Sequence, residues 1–225
     1  MRIFATSDIH GNRKIIDKLP QIAQKADLLI ICGDIGSKNE PSKSLGHLSR
    51  AQKEDCAYLT EVLDSMSIPS WFILGNDDWF DIEDEGNQHY LRRREVVGGI
   101  DFIPFEHVLI TPFNTNREAN ENKIEYELAR FGALGNNSVV VAHTPPYGAG
   151  DILANGSHCG SRAAQEWIWD KKPMIWLNGH IHEDNSVSQI NGTYVINCSC
   201  NYPDGILRGW LINTEKLDKY KEISI

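Results

Sequence analysis

Seven side chains that can bind a metal ion stand at or just beyond the ends of apolar segments in this 225-residue sequence. They combine carboxylates, imidazoles and one amide, and they are Asp8, His10, Asp34, Asn76, His143, His180 and His182. A mixture of nitrogen and oxygen donors suits Mn, Fe, Zn, Ni or Co better than Ca, which prefers oxygen alone. The set therefore predicts a site for divalent metal ions.

The spacing of these residues indicates how they could share an ion. Asp8 and His10 are two residues apart at a strand end, so their side chains are expected to point the same way, and His180 and His182 repeat this arrangement. Glycines stand beside the candidate ligands, where the turn must be sharp and the backbone must come close to metal or phosphate. They are Gly11, Gly33, Gly75 and Gly179.

The elements that must position these residues alternate between apolar, β-rich runs and helical stretches, an order typical of an α/β protein. Strands are predicted over residues 2–7, 27–32, 71–74, 100–103, 107–110, 138–142, 174–177, 186–190, 193–197 and 207–212. Helices are predicted over residues 12–26, 41–67, 89–94, 125–134 and 161–169, and polar loops over 77–86 and 111–122. Five of the strands run directly into a candidate ligand, and the carboxyl ends of parallel strands are where α/β sheets bind ligands.

Five motifs, in this order along the chain, resemble those of the calcineurin-like metallophosphoesterases. They are Asp8-x-His10, Gly33-Asp34, Gly75-Asn76, His143 and Gly179-His180-x-His182, and the match extends from Asp8 to about Asn197. The resemblance implies an α/β fold of two mixed β-sheets packed as a sandwich flanked by helices. It also implies two divalent cations, with Mn²⁺ expected and Fe, Zn, Ni, Co or Mg as alternatives.

The resemblance further implies how the ligands divide between the two ions. The first ion would be held by Asp8, His10, Asp34 and His182, and the second by Asp34, Asn76, His143 and His180. Asp34 would bridge them. Two-metal chemistry would then supply a metal-bound hydroxide for in-line attack on phosphorus, so no protein nucleophile is needed.

Residue 77 departs from the commoner pattern of the family. Residues 7–12 resemble the corresponding segment of the small prokaryotic phosphodiesterase-like members. In many members of the family, the Gly-Asn motif is followed by a histidine that contacts the substrate phosphate, whereas this chain has Asp77 at that position. A carboxylate there would repel a dianionic monoester more than a monoanionic diester. Candidate catalytic residues are Asp77, Asn76, His143 and Asn12, the last as a hydrogen-bond donor to phosphate or to a metal-binding carboxylate.

Three functions are open at this point. Hydrolysis of phosphodiesters is preferred, a phosphomonoesterase acting on protein or a small metabolite is the second hypothesis, and a metal-binding scaffold without catalysis is the third. The complete ligand set disfavours the scaffold, and Asp77 disfavours the phosphomonoesterase.

Composition limits the partners and the location. The formal net charge of −9 disfavours long nucleic acids, since binding them needs a broad basic face. No apolar run is long enough to cross a membrane, and no secretory signal stands at the start, so a cytoplasmic protein acting on a small phosphate ester is expected. The five cysteines lack zinc-ribbon spacing, and Cys198 and Cys200 are expected on one face of a strand. One domain over 1–225 is expected.

The glycine-rich segment 148–160 separates His143 from the next predicted helix, so it is predicted to form a mobile lid or a wall of the cleft. Within it, His158 is interpreted as a solvated loop residue rather than a proton donor. His47, His89 and His107 are expected to be structural, and Trp79 is the only tryptophan expected to line the cleft.

Overall fold

The computed structural model describes residues 1–22, 24–38, 44–79 and 86–225. In these ranges, two six-stranded sheets and one two-stranded sheet carry the architecture. The strands are β1 (Arg2–Thr6), β2 (Leu28–Cys32), β3 (Ser70–Ile73), β4 (Gln88–Tyr90), β5 (Glu95–Val97), β6 (Ile100–Phe105), β7 (Val108–Leu109), β8 (Glu118–Ala119), β9 (Ser138–Ala142), β10 (Ile175–Asn178), β11 (Val187–Ile190), β12 (Thr193–Asn197), β13 (Arg208–Asn213) and β14 (Tyr220–Ser224).

Both large sheets are mixed. The first has the order β14-β13-β1-β2-β3-β4, with β1 to β4 parallel and β13 antiparallel to both of its neighbours. The second has the order β11-β12-β10-β9-β6-β5, in which β6, β9, β10 and β12 are parallel and hairpins add the two edge strands. In each sheet, the carboxyl ends of the parallel strands therefore lie at the same end of the sheet, which is called the sheet edge below.

The central strands carry apolar side chains on both faces of their sheets, and successive side chains point to opposite faces. One face of each sheet can therefore pack against the other sheet while the second face packs against helices. Ile30 and Ile73 of the first sheet pack with Phe102, Val141 and others of the second in the central core. The other side chains of the first sheet pack beneath helix α2, and those of the second beneath α3 and α4. The result is a sandwich with helices on both outer faces.

The helices are short apart from one. They are α1 (Arg13–Ile16), α2 (Leu45–Asp64), α3 (Glu121–Ala129) and α4 (Arg162–Lys171), with one turn of 3-10 helix (Leu19–Ile22) after α1. Each α-helix begins after a polar residue whose side chain accepts a hydrogen bond from the first turn: Asn12, Ser44, Asn120 and Ser161. Among the described residues, no helix is long and apolar enough to cross a bilayer.

The structure confirms the predicted sandwich and most of its strands, and it corrects several elements. The helix predicted over 12–26 is α1 followed by the 3-10 turn that contains Pro20. The helix predicted over 89–94 is wrong, because residues 88–90 pair with β3 as strand β4. The predicted loop 111–122 contains β8 and the start of α3. Strands β5 and β14 were not predicted, and predicted residues 41–43 and 80–85 lie outside the described ranges.

The expectation that the two neighbouring cysteines share a strand face is also wrong. Strand β12 ends at Asn197, and beyond it Cys198 packs between the sheets while Cys200 packs in the core beneath α2. Trp79 is not among the described residues that line the cleft at the sheet edge.

Candidate metal centre

The loops after β1 and β2 are joined by a ladder of backbone hydrogen bonds. The amides of Asp8, His10 and Gly11 donate to the carbonyls of Gly33, Asp34 and Ile35 at 3.0, 3.0 and 2.8 Å. Because these bonds continue the parallel pairing of β1 with β2, they hold the first two candidate ligand motifs side by side at the sheet edge.

Backbone strain is concentrated at this edge. Eight described residues other than glycine have a positive φ, and four of them are the predicted ligands Asp8, His10, Asp34 and His180, with φ of 59°, 47°, 52° and 73°. The left-handed conformation costs about 1–3 kcal/mol for such residues and persists where surrounding contacts fix it, commonly at functional sites.

Glycine is required where the backbone passes close to a ligand. A Cβ atom at Gly75 would overlap the carboxylate of Asp34, and one at Gly179 would overlap Ser7 and the carboxylate of Asp8. The glycines beside the candidate ligands therefore allow the compact arrangement that the sequence predicts.

One cluster of ligand atoms is formed by Asp8, His10 and His182. Their ligand atoms all lie within 4.8 Å of one another. The Nε2 atom of His182 is 3.2 Å from Asp8 Oδ1 and 3.3 Å from His10 Nε2, so two ring nitrogens and a carboxylate oxygen converge on one point. This trio contains three of the four ligands that the family resemblance implies for the first ion.

A second cluster is formed by Asp8, Asp34 and His143, again with ligand atoms within 4.8 Å. His143 Nε2 lies 3.4 Å from Asp34 Oδ2 and 3.1 Å from Asn76 Oδ1. Asp34 Oδ2 also lies 3.8 Å from His10 Nε2, which places this carboxylate between the two clusters. The position agrees with the bridging role implied for Asp34.

The protonation of three imidazoles is set by their surroundings, with His10 and His143 buried and His180 half-buried. Burial lowers the pKa of His10 to about 3 and that of His180 to about 4, so these rings are neutral and can offer a lone pair to a cation. Burial also opposes charge on His143, but Asp34 and Asp8 outweigh it and raise its pKa to about 10. A cation would have to displace that proton.

The orientation of the His143 ring is fixed by its other nitrogen. Nδ1 donates to the carbonyl of Cys32 at 2.7 Å, which turns Nε2 toward Asp34 and Asn76. A hydrogen bond of this kind commonly sets the tautomer of a metal-binding histidine.

His180 lies at the wall of the cleft rather than in either cluster. Its backbone amide donates to the Asp8 carboxylate at 3.1 and 3.2 Å, and its ring centroid is 5.3 Å from that of His143. Its ring therefore borders the second cluster, on the side where the resemblance places it.

Asp77 and Asp78 occupy different positions although they are adjacent. The Asp77 carboxylate groups with His10 and Asp34 within 4.8 Å and lines the cleft, so it is a further candidate ligand that the sequence analysis did not assign. Burial and the charge of Asp34 raise its pKa to about 6. Asp78 points away from the cleft and is fully buried.

The Asp78 carboxylate ties two ligand-bearing loops together. Its Oδ1 accepts hydrogen bonds from the amides of Ile35 and Gly36 at 2.9 and 3.0 Å, and its Oδ2 accepts one from Gly75 at 2.8 Å. These amides follow Asp34 and precede Asn76, so Asp78 sets the spacing between two candidate ligands.

The Asn76 amide is oriented by a network that the sequence did not reveal. Its Nδ2 donates to Thr115 Oγ1 at 2.8 Å, and this hydroxyl donates to Glu118 Oε1 at 2.6 Å. Glu118 Oε1 also accepts from Thr111 Oγ1 and from the Thr115 amide. Because Nδ2 is held by Thr115, the Oδ1 atom of Asn76 faces His143.

Asn12 has a structural role at the edge of the site. Its Oδ1 caps α1 by accepting from the Lys14 amide at 3.0 Å, and its Nδ2 donates to the carbonyl of Tyr202 at 2.7 Å. The predicted contact of Asn12 with phosphate or a metal-binding carboxylate stays a prediction.

Tyr202 closes the first cluster from the C-terminal part of the chain. Its ring centroid lies 4.5 Å from that of His10 and 5.0 Å from that of His182. Arg208 adds a second restraint, because its Nη2 donates to the His182 carbonyl at 3.0 Å. These contacts fix the positions of both imidazoles.

The clusters open into a cleft of about 810 Å³. The described residues that line it are Asp34, Lys38, Asn76, Asp77, Leu109, Ile110, Thr111, Pro112, Phe113, Thr115, Leu153, Cys159, His180, Ile181, His182 and Glu183. Lys38 is the only lysine or arginine among them, and its Nζ lies 3.3 Å from the Tyr202 hydroxyl.

The segment 148–160 contributes Leu153 and Cys159 to the cleft wall. Fully buried Asp151 organises it by accepting from the amides of Gly148 and Gly160 at 3.1 and 2.9 Å and by pairing with His158 Nδ1 at 2.7 Å. His158 thus has a structural partner, and the mobility of the segment stays a prediction.

The donor set fits divalent cations. Asp8, Asp34 and Asp77 are buried carboxylates, and Asp34 has a ligand oxygen within 4.8 Å of one in each of the other two. The ion pairs of Asp8 and Asp34 in the described structure are with histidines alone. Buried carboxylates are otherwise costly, and they are commonly paired or bound to metal. The convergence of carboxylate oxygens and ring nitrogens provides the mixed ligand set of a transition-metal site.

Comparisons with known proteins agree with this geometry. The family model for calcineurin-like phosphoesterases matches residues 1–184. An uncharacterized protein of Methanocaldococcus jannaschii, MJ1162, is 30% identical over 207 residues, which is 88% of each chain. A shorter match, 35% identical over 65 residues, covers 28% of this chain and 16% of the UPF0046 protein T07D4.2 of Caenorhabditis elegans.

Solved structures share the fold. TT1561 of Thermus thermophilus superposes with a TM-score of 0.68 at 14% identity and covers 99% of this chain and 98% of its own. A dimetal phosphatase from Danio rerio superposes with a TM-score of 0.57 at 11% identity, covering 88% of this chain and 86% of its own.

The two sheets, the helices outside them and the buried Asp–His clusters at one sheet edge define a metallophosphoesterase-like protein. The chain belongs to the calcineurin-like phosphoesterase family.

Proposed function

We propose that this protein hydrolyses phosphodiesters with two divalent cations, Mn²⁺ in the first instance, held by the seven residues that the sequence singles out. Asp8, His10, Asp34 and His182 would hold one ion, and Asp34, Asn76, His143 and His180 the other. The substrate would be a small phosphate ester.

The observation that carries this proposal is the overlap of two buried clusters of ligand atoms. Asp8 is common to the trio with His10 and His182 and to the trio with Asp34 and His143, and Asp34 lies within 4 Å of imidazoles in both. Carboxylates shared in this way favour two adjacent ions over one.

When bound, a pair of divalent cations supplies Lewis acidity and lowers the pKa of a water molecule to about 7. The protein's own residues position the reaction around that pair. Thr115 holds the Asn76 amide, and Cys32 holds the ring of His143, so both ligands are fixed before substrate enters. Lys38 offers a positive charge to a non-bridging phosphate oxygen at the side of the cleft.

Diesters are favoured by the charges that border the cleft. Asp77 and Glu183 face it with only one lysine beside them among the described residues. A dianionic monoester would meet more repulsion from these carboxylates than a monoanionic diester, because Coulomb repulsion scales with the product of the charges.

Hydrolysis of phosphomonoesters is the second candidate. It is supported by the Danio rerio structure, which is described as a dimetal phosphatase. The complete set of candidate ligands argues against a scaffold that has lost catalysis.

Reconstitution tests the proposal directly. Protein loaded with Mn²⁺ and freed of excess ion is expected to hold two ions per chain and to hydrolyse bis-p-nitrophenyl phosphate faster than p-nitrophenyl phosphate. Elemental analysis gives the metal content, and release of p-nitrophenolate gives the rates. Faster monoester hydrolysis would favour the second candidate. Two bound ions without any ester hydrolysis would support the scaffold.

Asp77 is expected to set the preference between the two ester classes. Removing one unit charge about 8 Å from the extra charge of a monoester relieves about 1 kcal/mol at an effective dielectric constant near 40, or roughly sixfold in rate. Asp77→His should therefore raise monoesterase turnover relative to diesterase turnover by about that factor, and Asp77→Asn should keep substantial diesterase activity.

The comparison requires matched metal content, because Asp77 lies within reach of His10 and Asp34. Glu222→Gln serves as a control, since it removes an exposed carboxylate on β14 and should leave the ratio unchanged. If Asp77→Asn loses all turnover with both ions bound, Asp77 is a catalytic acid. If it loses an ion, Asp77 is a metal ligand.

A further inference from the structure

One wall of the catalytic cleft is apolar, and it begins beside the candidate metal ligands. The end of β7, the loop that follows it, the segment 148–160 and the residue between His180 and His182 form this wall, with the side chains of Leu109, Ile110, Pro112, Phe113, Leu153 and Ile181. The same cleft is lined by the candidate ligands Asp34, Asn76, His180 and His182 and by Lys38 and Asp77. A substrate with its phosphate at the clusters would therefore have an ester group against this wall.

The two residues at the outer part of the wall are unusually exposed. Phe113 is 74% exposed and Ile110 is 69% exposed, three residues apart on one loop. Scattered exposed apolar residues are common on protein surfaces. Here, however, both residues line the cleft that holds the candidate ligands, so this exposed apolar surface belongs to the candidate site.

This loop is held in place by the same network that orients Asn76. Glu118 accepts hydrogen bonds from Thr111 and Thr115, and the Phe113 amide donates to Thr111 Oγ1 at 3.1 Å. Asn116 also donates its amide to the Asn76 carbonyl at 2.9 Å. The apolar wall and a candidate metal ligand are consequently parts of one hydrogen-bonded unit.

The charges of the cleft define what the wall can bind. Lys38 is the only lysine or arginine in the described lining, and its Nζ lies 3.3 Å from the hydroxyl of Tyr202, the residue that packs on His10 and His182. A second phosphate beside the apolar residues would therefore need a cation that the described lining does not supply there. Glu183 would repel such a phosphate. The ester group that extends from the reacting phosphate along this wall is therefore expected to be uncharged.

Building on the proposed phosphodiesterase activity, we propose that Ile110 and Phe113 form a subsite for an uncharged apolar ester group, alkyl or aromatic, on the substrate phosphate. The preferred substrate is then a monoanionic diester with at least one apolar arm. Binding of that arm removes apolar surface from water on both the substrate and the wall.

A series of diesters with a constant leaving group tests the subsite. Methyl, butyl and phenyl p-nitrophenyl phosphates share the same charge and leaving group but differ in the apolar arm. A fully buried methylene is worth about fourfold, so a half-exposed wall should give about twofold per methylene, or about eightfold in kcat/KM from methyl to butyl. The phenyl ester should exceed the methyl ester by at least as much.

Variants show whether the wall is responsible. Ile110→Ser and Phe113→Ser, singly and together, should reduce the butyl-to-methyl ratio toward one. Tyr126→Ser is the matched control, because Tyr126 is 65% exposed on α3 and does not line the cleft in the described structure. It should retain the wild-type ratio.

A binding measurement separates this inference from the proposed function. Dimethyl phosphate and butyl methyl phosphate differ by the same three methylenes, and their affinities for the Mn²⁺-loaded protein can be measured by calorimetry. Tighter binding of the butyl ester, lost in the double variant, supports the subsite even if no ester is hydrolysed. Equal kcat/KM values and equal affinities across both series, with two ions bound, would overturn it.

Discussion

Asp34→Asn is expected to weaken the binding of both ions and to lower diesterase turnover by more than about a hundredfold, beyond the range typical of residues that only orient a ligand. Its carboxylate lies 3.8 Å from His10 Nε2 and 3.4 Å from His143 Nε2, and its Oδ1 accepts the Asp77 amide at 2.8 Å. Asparagine preserves the shape but removes the negative charge that both ions would share.

Variants of the other ligands should each weaken the binding of mainly one ion. His182→Ala should mainly weaken the first ion, and His143→Ala the second, whereas Asp34→Asn should weaken both. Asp27→Asn is the control, because Asp27 is half exposed and pairs with Arg2 away from the cleft. Elemental analysis after dialysis against limiting Mn²⁺ measures the occupancy. Two ions retained by Asp34→Asn would show that the residue does not bridge.

Asp78→Asn is expected to lower the stability of the metal-free protein by about 2 kcal/mol, since a buried polar group left without its partner costs about 1–3 kcal/mol. Burial and the charge of Asp34 raise the pKa of Asp78 to about 7, so removal of its charge offsets part of the cost of the lost hydrogen bonds. The variant places an amide NH₂ where a carboxylate oxygen accepts from Ile35 and Gly36 or from Gly75. For a chain of this size, the loss corresponds to a decrease in Tm of about 4–8 °C.

Thermal unfolding followed by circular dichroism, with chelator present, measures this effect without any contribution from bound ions. Asp77→Asn provides the control, because Asp77 is the adjacent buried aspartate but its carboxylate faces the cleft. Its Tm should change by much less. If the two variants unfold at the same temperature, the three hydrogen bonds that Asp78 accepts from backbone amides do not contribute the expected stability.

The strands that end at the site could be predicted because they are apolar along their whole length. The run from Ser138 to Ala142 is buried throughout and was predicted with the bounds that the structure has. Its position between β6 and β10 leaves no polar face, so burial alone fixes it as a strand. The ligand motifs follow from these strands, since each lies where the strand leaves the sheet.

Elements that depend on distant partners could not be predicted in this way. Residues 88–90 have a polar, helix-compatible sequence, and only their pairing with β3 makes them a strand. Strand β14 carries one buried residue, Ile223, and its other residues are exposed, so the sequence contains little sign of it. Tertiary pairing outweighs local preference in both cases.

The same distinction applies within the site. Asp8 and His10 are recognisable because two ligand-capable residues stand two apart after a strand. Thr115, by contrast, acts on Asn76 from 39 residues away, and Tyr202 reaches His10 from a distant part of the chain. Ser, Thr and Tyr in loops are too common for their types alone to indicate such roles, so only the fold reveals them.

The contact of Tyr202 with His10 and His182 has a consequence for folding during synthesis. The first candidate ligands are made early, but β1 pairs with β13, whose residues emerge from the ribosome roughly 200 positions later. At about 5–20 residues per second, that interval is on the order of 10–40 seconds. Asp8 and Asp34 can meet in the nascent chain before His182, Tyr202 and Arg208 exist to complete their surroundings. The full set of ligands therefore converges only after His182, Tyr202 and Arg208 have emerged, so we expect stable binding of divalent cations to follow the synthesis of these residues instead of guiding the first folding steps.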